Sequence, residues 1–195
     1  MNGLMELDAR WDTIRTLLGH RNSESFKGCN DLHIASTGDI YFTDLGQTGL
    51  HDPTGRVFRL RLDARLECLI SNGPSPNGLV LDPNETVLFV AMTRDNSVWR
   101  VPQMRDGGIA KVGSFSTFFG TSGPDGLAMD REGRLFVAHA SLGHAFVLAP
   151  NGGCLARIKS CAGPTCTNIA LGPNGALFIT ESSTGSVLVA DLCCL

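Results

Sequence analysis

The stretch Pro76-Asn77-Gly78-Leu79-Val80-Leu81, followed after the turn Asp82-Pro83-Asn84-Glu85 by Val87-Leu88-Phe89-Val90, decides how this chain folds. A polar turn opens an apolar run, the chain reverses, and a second apolar run returns. The unit recurs as Cys29-Asn30-Asp31-Leu32 before Ile40-Tyr41-Phe42-Thr43 and as Pro124-Asp125-Gly126-Leu127 before Leu135-Phe136-Val137-Ala138. A fourth copy is Thr167-Asn168-Ile169-Ala170 before Leu177-Phe178-Ile179-Thr180. Asn30 and Asn77 lie 47 residues apart, Asn77 and Asp125 48, and Asp125 and Asn168 43. Repeats of about 40–50 residues holding several strands each specify a β-propeller rather than a helical solenoid.

Each unit has a third run: Gly55-Arg56-Val57-Phe58-Arg59-Leu60, Ser97-Val98-Trp99-Arg100-Val101, His144-Ala145-Phe146-Val147-Leu148 and Ser186-Val187-Leu188-Val189-Ala190. Alternation and β-branched or aromatic content predict strands. Reversals such as Ser36-Thr37-Gly38-Asp39, Asp130-Arg131-Glu132-Gly133 and Gly172-Pro173-Asn174-Gly175 supply residues that tolerate tight turns. No helical period emerges. Residues 11–28 predict the tail of a preceding blade, with a short strand over 13–18. The expectation is an all-β chain, residues 1–195 forming one partial β-propeller domain of about four blades, with Trp99 and Phe146 in the core between blades. Such an incomplete ring exposes sheet edges and apolar faces, which favours self-association or instability.

Composition narrows the partners. With 43% hydrophobic and 18% charged residues, the 195-residue chain is ordinary for a folded globular domain. A formal charge of -3 with scattered Lys and Arg argues against nucleic-acid and membrane-surface partners. The start, Met1 to Asp8, has neither a basic region nor an apolar run, so a cytoplasmic location is the default expectation. Seven cysteines without a Cys-x-x-Cys pair suggest neither a disulfide framework nor a structural zinc site. Cys29, Cys161 and Cys166 are expected as compact buried thiols. Ser182, Ser183 and Thr184 lie beside Glu181, but no Gly-x-Ser-x-Gly elbow accompanies them.

Equivalent positions of successive blades converge on the channel of a propeller, so Asn30, Asn77, Asp125 and Asn168 are expected to face one another across its mouth. Oxygen-rich side chains meeting there suit a hard divalent cation: calcium first, with zinc, magnesium and manganese as alternatives. The competing reading makes these residues turn stabilisers through local side-chain to backbone bonds.

On these residues, together with Gly38-Asp39-Ile40-Tyr41-Phe42-Thr43-Asp44 and Pro53-Thr54-Gly55-Arg56-Val57, the chain resembles the senescence marker protein/gluconolactonase/luciferin-regenerating-enzyme family, which includes diisopropyl-fluorophosphatase-like and Drp-type lactonases. The resemblance runs from about Trp11 onward. It implies a six-bladed type of propeller, a divalent metal in the channel and hydrolysis of lactones. It further implies Asn77 and Asp125 as metal ligands, Asn30 at a position touching metal or substrate, and Asp125 as proton donor and acceptor. His51 falls where the resemblance places substrate-facing residues, and His33 and Asn168 are further substrate-binding candidates. The family also draws a metal-binding Glu from a first blade. Glu6 lacks the surrounding motif. The expected function is a metal-dependent hydrolase opening a sugar lactone or similar cyclic ester. The alternatives are a non-catalytic truncated propeller, acting as a binding module or calcium-binding protein, and an organophosphate ester hydrolase at the same site.

Overall fold

The computed structural model describes residues 3–192, which fold almost entirely into antiparallel strands. Two short hairpins come first: β1 (Leu4–Leu7) pairs with β2 (Ile14–Leu18), and β3 (His20–Arg21) with β4 (Glu24–Ser25). Blade 1 is the meander β5 (Cys29–Ile34), β6 (Ile40–Asp44), β7 (Gly55–Leu60) and β8 (Leu66–Gly73). Blade 2 is β9 (Pro76–Leu81), β10 (Val87–Met92), β11 (Ser97–Pro102) and β12 (Gly113–Thr117). Blade 3 is β13 (Pro124–Met129), β14 (Leu135–His139), β15 (His144–Leu148) and β16 (Cys154–Lys159). Blade 4 has three strands, β17 (Cys166–Leu171), β18 (Ala176–Glu181) and β19 (Ser186–Asp191). Among the described residues the helical pieces are two 3-10 turns, Thr93–Asp95 and Pro173–Gly175, and no helix is long and apolar enough to cross a membrane.

The four-bladed arrangement follows the repeats, and β2 covers the strand expected over 13–18. Its partner β1 was not anticipated. Nor were the outermost strands of blades 1 to 3, whose residues are mostly half-buried or exposed and so lack a clean apolar alternation.

Strand periodicity turns the repeated sequence into stacked sheet faces. Tyr41, Phe89 and Phe136 occupy one register position on the second strands and are all buried against the following blade. Leu79 and Leu81 meet blade 1 from the other side, as Leu127 meets blade 2 and Ile169 meets blade 3. Phe146 lies in the blade 2–3 core, whereas Trp99 is only partly buried beside the blade 1–2 core and donates its indole N–H to Asp95 at 3.0 Å. The N-terminal hairpins close the start of the stack. Phe42 and Phe58 stack with ring centroids 5.2 Å apart, Phe26 sets its edge against both, and Leu4 joins the cluster. Of the three thiols expected inside, Cys166 is buried and Cys29 half-buried, but Cys161 is exposed, because it sits in the polar loop ahead of β17 rather than on the strand.

The last residue of each second strand has a separate task. Asp44, Met92, His139 and Glu181 pair with the first residue of their inner strands, and all four are buried. Asp44 accepts the backbone N–H groups of Lys27 and Gly28 at 2.8 and 2.6 Å and takes Arg56 on its other oxygen at 3.0 and 2.6 Å. Glu181 accepts from the Ser183 and Thr184 hydroxyls at 2.5 Å each and from the Thr165 amide at 2.9 Å, and the hydroxyls above all hold its carboxyl down to about 2. His139 meets the Asn96 oxygen at 3.0 Å; since the Asn96 amide donates to Gly120 at 3.1 Å, the imidazole Nε2 is the donor. These buried polar groups fix the loops that enter the inner strands. Asp44→Ala would leave the Lys27 and Gly28 amides without their acceptor and Arg56 with Glu24 and the Ser25 carbonyl alone, so urea denaturation should show a loss of about 3 kcal/mol.

Candidate metal and acid–base site at the inner-strand bulges

Each inner strand begins with a bulge. Pairing jumps from Cys29–Asp44 to Leu32–Phe42, from Pro76–Met92 to Leu79–Val90, and from Pro124–His139 to Leu127–Val137. Two residues therefore stand opposite one, which bends the strand and re-aims the side chains between them. Asn30, Asn77 and Asp125 take the first bulge position, and Asp31, Gly78 and Gly126 the second. In blade 4 the pairs Cys166–Glu181 and Ile169–Ile179 put Thr167 in phase with Asp125 and Asn168 in phase with Gly126. The fourth repeat is thus offset by one residue from its alignment in the sequence. Thr-Asn mimics Pro-Asn there, but the strand pairing starts at Cys166.

The second position is the point of closest approach between blades. A Cβ on Gly78 would lie 2.3 Å from the Asp125 carbonyl oxygen, and one on Gly126 would lie 2.2 Å from Oδ1 of Asn168. Glycine lets the neighbouring strands meet there. Threonine hydroxyls tie the same junctions: Thr43 donates to the Asn77 carbonyl and Thr93 to that of Pro124, each at 2.8 Å.

Asn77 stands close enough to Asp125 to draw its carboxyl pKa down, and the buried Asn77 side chain donates to the Thr93 hydroxyl at 3.3 Å. Asp31 occupies in blade 1 the place that glycine holds in blades 2 and 3. Its carboxylate accepts the Leu32 amide at 2.8 Å and reaches across to the Leu79 amide of blade 2 at 3.4 Å. Burial, and then the charge of Asp31, lift the Asp125 carboxyl to about 6, while Asn77 pulls the other way. Burial raises Asp31 as well, against the pull of the Leu32 and Leu79 amides.

The remaining candidates are less tightly held. Asn30 is exposed beside Asp31. His33 is half-buried two residues further on, with burial lowering its pKa and the charges of Glu85 and Asp31 opposing. Asn168 is exposed, and its Oδ1 accepts the Ile169 amide of its own strand at 2.8 Å. His51 is exposed in the loop between β6 and β7. Asp31 was passed over in the sequence, although an acid standing where two other repeats carry glycine was a signal. Among the described residues no group of three or more His, Cys, Asp or Glu could hold a metal, so a cation here would rest on amide oxygens and at most this carboxylate pair.

Residues 1–183 match the family model described as SMP-30/Gluconolactonase/LRE-like region. A gluconolactonase of Zymomonas mobilis is 30% identical over 198 residues, covering 92% of this chain and 55% of that protein. The lactonase drp35 of Staphylococcus aureus is 32% identical over 127 residues, 63% of this chain and 39% of that protein. The chain spans about half the length, or less, of these curated relatives. Among solved structures, the gluconolactonase XC5397 of Xanthomonas campestris superposes with a TM-score of 0.79 at 25% identity, over 92% of this chain and 62% of that one. The calcium-binding protein regucalcin of Agrobacterium tumefaciens gives 0.79 at 20% identity, over 96% and 69%, a likeness of fold.

Because folding raises the Asp125 pKa, the folded state is favoured fully below the unfolded carboxylate value and loses that advantage as pH rises through about 6. Asp125→Asn removes the ionisation, a gain of up to about 3 kcal/mol above that range. In chelating buffer the variant should therefore melt several degrees higher than the parent at pH 8, with the gap closing towards pH 4, as calorimetry would show.

Proposed function

The chain belongs to the SMP-30/gluconolactonase/LRE-like family, and from that premise we propose that its inner-strand bulges form a site for opening lactones. The observation carrying this reading is the half-buried Asp125 carboxyl, beside Asn77 and set at about 6, where it can both take and return a proton near neutral pH. The names of the relatives, gluconolactonase and lactonase drp35, favour a cyclic ester as substrate.

The donor set fits a hard cation, since Asn30, Asn77 and Asp125 offer oxygens only and the repulsion between Asp31 and Asp125 is what a positive charge would relieve. These residues would hold calcium in preference to zinc, and the bound ion supplies Lewis-acid polarisation of an ester carbonyl. Asp125 accepts a proton from water as the water oxygen bonds to the acyl carbon. The ring carbon–oxygen bond breaks, and the proton passes to the departing alkoxide to give the hydroxy acid. Asn77 orients the carboxylate during both transfers. Asn30, exposed at the first bulge position of blade 1, meets the substrate, with His33, His51 and Asn168 as further contacts.

A second reading, a cation-binding propeller without turnover, is favoured by the small number of carboxylates at the site. The two separate on one experiment. Purified protein is given glucono-lactone, other cyclic esters and organophosphate esters with calcium, magnesium, manganese or zinc, while cation binding is followed by calorimetry. The lactonase reading expects cation-dependent ring opening, a fall in kcat of at least about 100-fold in Asp125→Asn, and binding that tightens as pH rises to about 6 and then levels. Binding without turnover establishes the second reading; neither binding nor turnover sinks both.

A further inference from the structure

Away from the bulges, one position on the third strands is left open in one blade and closed in the next. Strand pairing sets Trp99 opposite Val90 in blade 2, Phe146 opposite Val137 in blade 3 and Leu188 opposite Ile179 in blade 4, so the three stand in register, each beside the core shared with the preceding blade. Phe146 is buried. Phe118, in the link from β12 to β13, closes over it edge to face with ring centroids 5.0 Å apart. The link from β8 to β9 is Pro74 and Ser75 alone, which leaves no chain to carry a ring back over Trp99, and among the described residues no aromatic ring packs on the indole. A cleft of about 480 Å³ opens on Trp99 instead, between β8 of blade 1 and the outer strands of blade 2, against about 270 Å³ in the cleft between blades 2 and 3 that Phe118 lines. Leu69 and Ile109, both partly buried, extend its apolar wall. Ser71, Asn72 and Ser114 stand exposed along it, and their side chains take no hydrogen bond among the described residues. No charged side chain lines it among the described residues, whereas Arg157 lines the cleft between blades 2 and 3.

The neighbouring repeat shows what suits this position. We propose that the cleft is a binding site for a small neutral aromatic molecule, whose ring takes against Trp99 the place that Phe118 takes against Phe146, and whose polar substituent meets Ser71, Asn72 or Ser114. An apolar wall with a few convergent polar groups, in a volume of this size, is the composition of a small-ligand pocket. The indole N–H is already bonded to Asp95 at 3.0 Å, so the ring is fixed before a ligand arrives and little ordering is left to oppose binding. A carboxylate or an ammonium group would lose water there without meeting an opposite charge. None of Asn30, Asn77 and Asp125 lines the cleft, so this site is separate from the one proposed for lactones.

The chain has two tryptophans, Trp11 and Trp99, and Trp11 is 81% exposed. In Trp11→Phe, tryptophan emission therefore reports the cleft alone. Benzamide titrated into that protein should shift the emission to the blue and saturate. Benzoate, which changes the charge, and cyclohexanecarboxamide, which changes the ring, should each bind at least about 10-fold more weakly. Ser114 is the cross-strand partner of Trp99 and exposed, so Ser114→Phe sets a ring in the cleft and should abolish the shift, with unchanged far-UV dichroism showing that the variant folds. Should it fail to fold, Ser71→Phe fills the cleft from blade 1 with the same expected loss. An emission that does not move, a response that climbs without saturating, equal affinity for benzoate or cyclohexanecarboxamide, or binding that survives the filled cleft would each overturn the assignment.

Discussion

Everything in this molecule depends on how closely neighbouring inner strands approach at their bulges. At Gly78 and Gly126 even a methyl group would overlap the next strand, so the blades meet there backbone to backbone. That contact fixes where the first bulge residue points, and it brings Asn77 and Asp125 of separate blades close enough for Asn77 to act on the Asp125 carboxyl. The Thr43 and Thr93 hydroxyls lock the same junctions by bonding to carbonyls of the following strand. Apolar layers further along the strands supply most of the cohesion, but they do so by holding this junction at its required distance.

The arrangement places charge where the fold would be better without it. Asp31 and Asp125 are both raised by burial, and the charge of Asp31 raises Asp125 further. Asp44 and Glu181, by contrast, are saturated with amide, hydroxyl or guanidinium donors. Buried acids of the second kind serve the fold. Acids of the first kind are what mark a candidate for chemistry, and that sets the Asp31–Asp125 pair apart from the better-bonded Glu181.

The sequence made the blades legible because strand patterning and turn chemistry repeat together, and each apolar second strand appears with its turn. Local chemistry misled in blade 4, where Thr167-Asn168 imitates Pro76-Asn77 but β-pairing begins one residue earlier, at Cys166. Phase is set by cross-strand hydrogen bonds, which no single strand displays. The outermost strands stayed hidden because one face is wet and their polar residues break the alternation. Asp31 was overlooked since its role depends on an amide 48 residues away, at Leu79, that only the folded stack brings near. The nearness of Asn77 to Asp125 belongs to the same class: the residues are plain in the sequence, and their proximity is not.

The exposed face of blade 4 and the sparse donor set have a common origin. In a stack of blades each junction contributes an apolar layer along the sheet and one polar pair at its bulge, as the blade 2–3 junction contributes both its phenylalanine-rich core and Asn77 with Asp125. A junction that is not made supplies neither. Thr167 and Asn168 stand at the bulge end of the exposed blade 4 face, so whatever sheet covers Phe178, Val187 and Val189 also brings polar groups beside them. The apolar face of blade 4 and its bulge residues form one surface, and a sheet packed on it meets both.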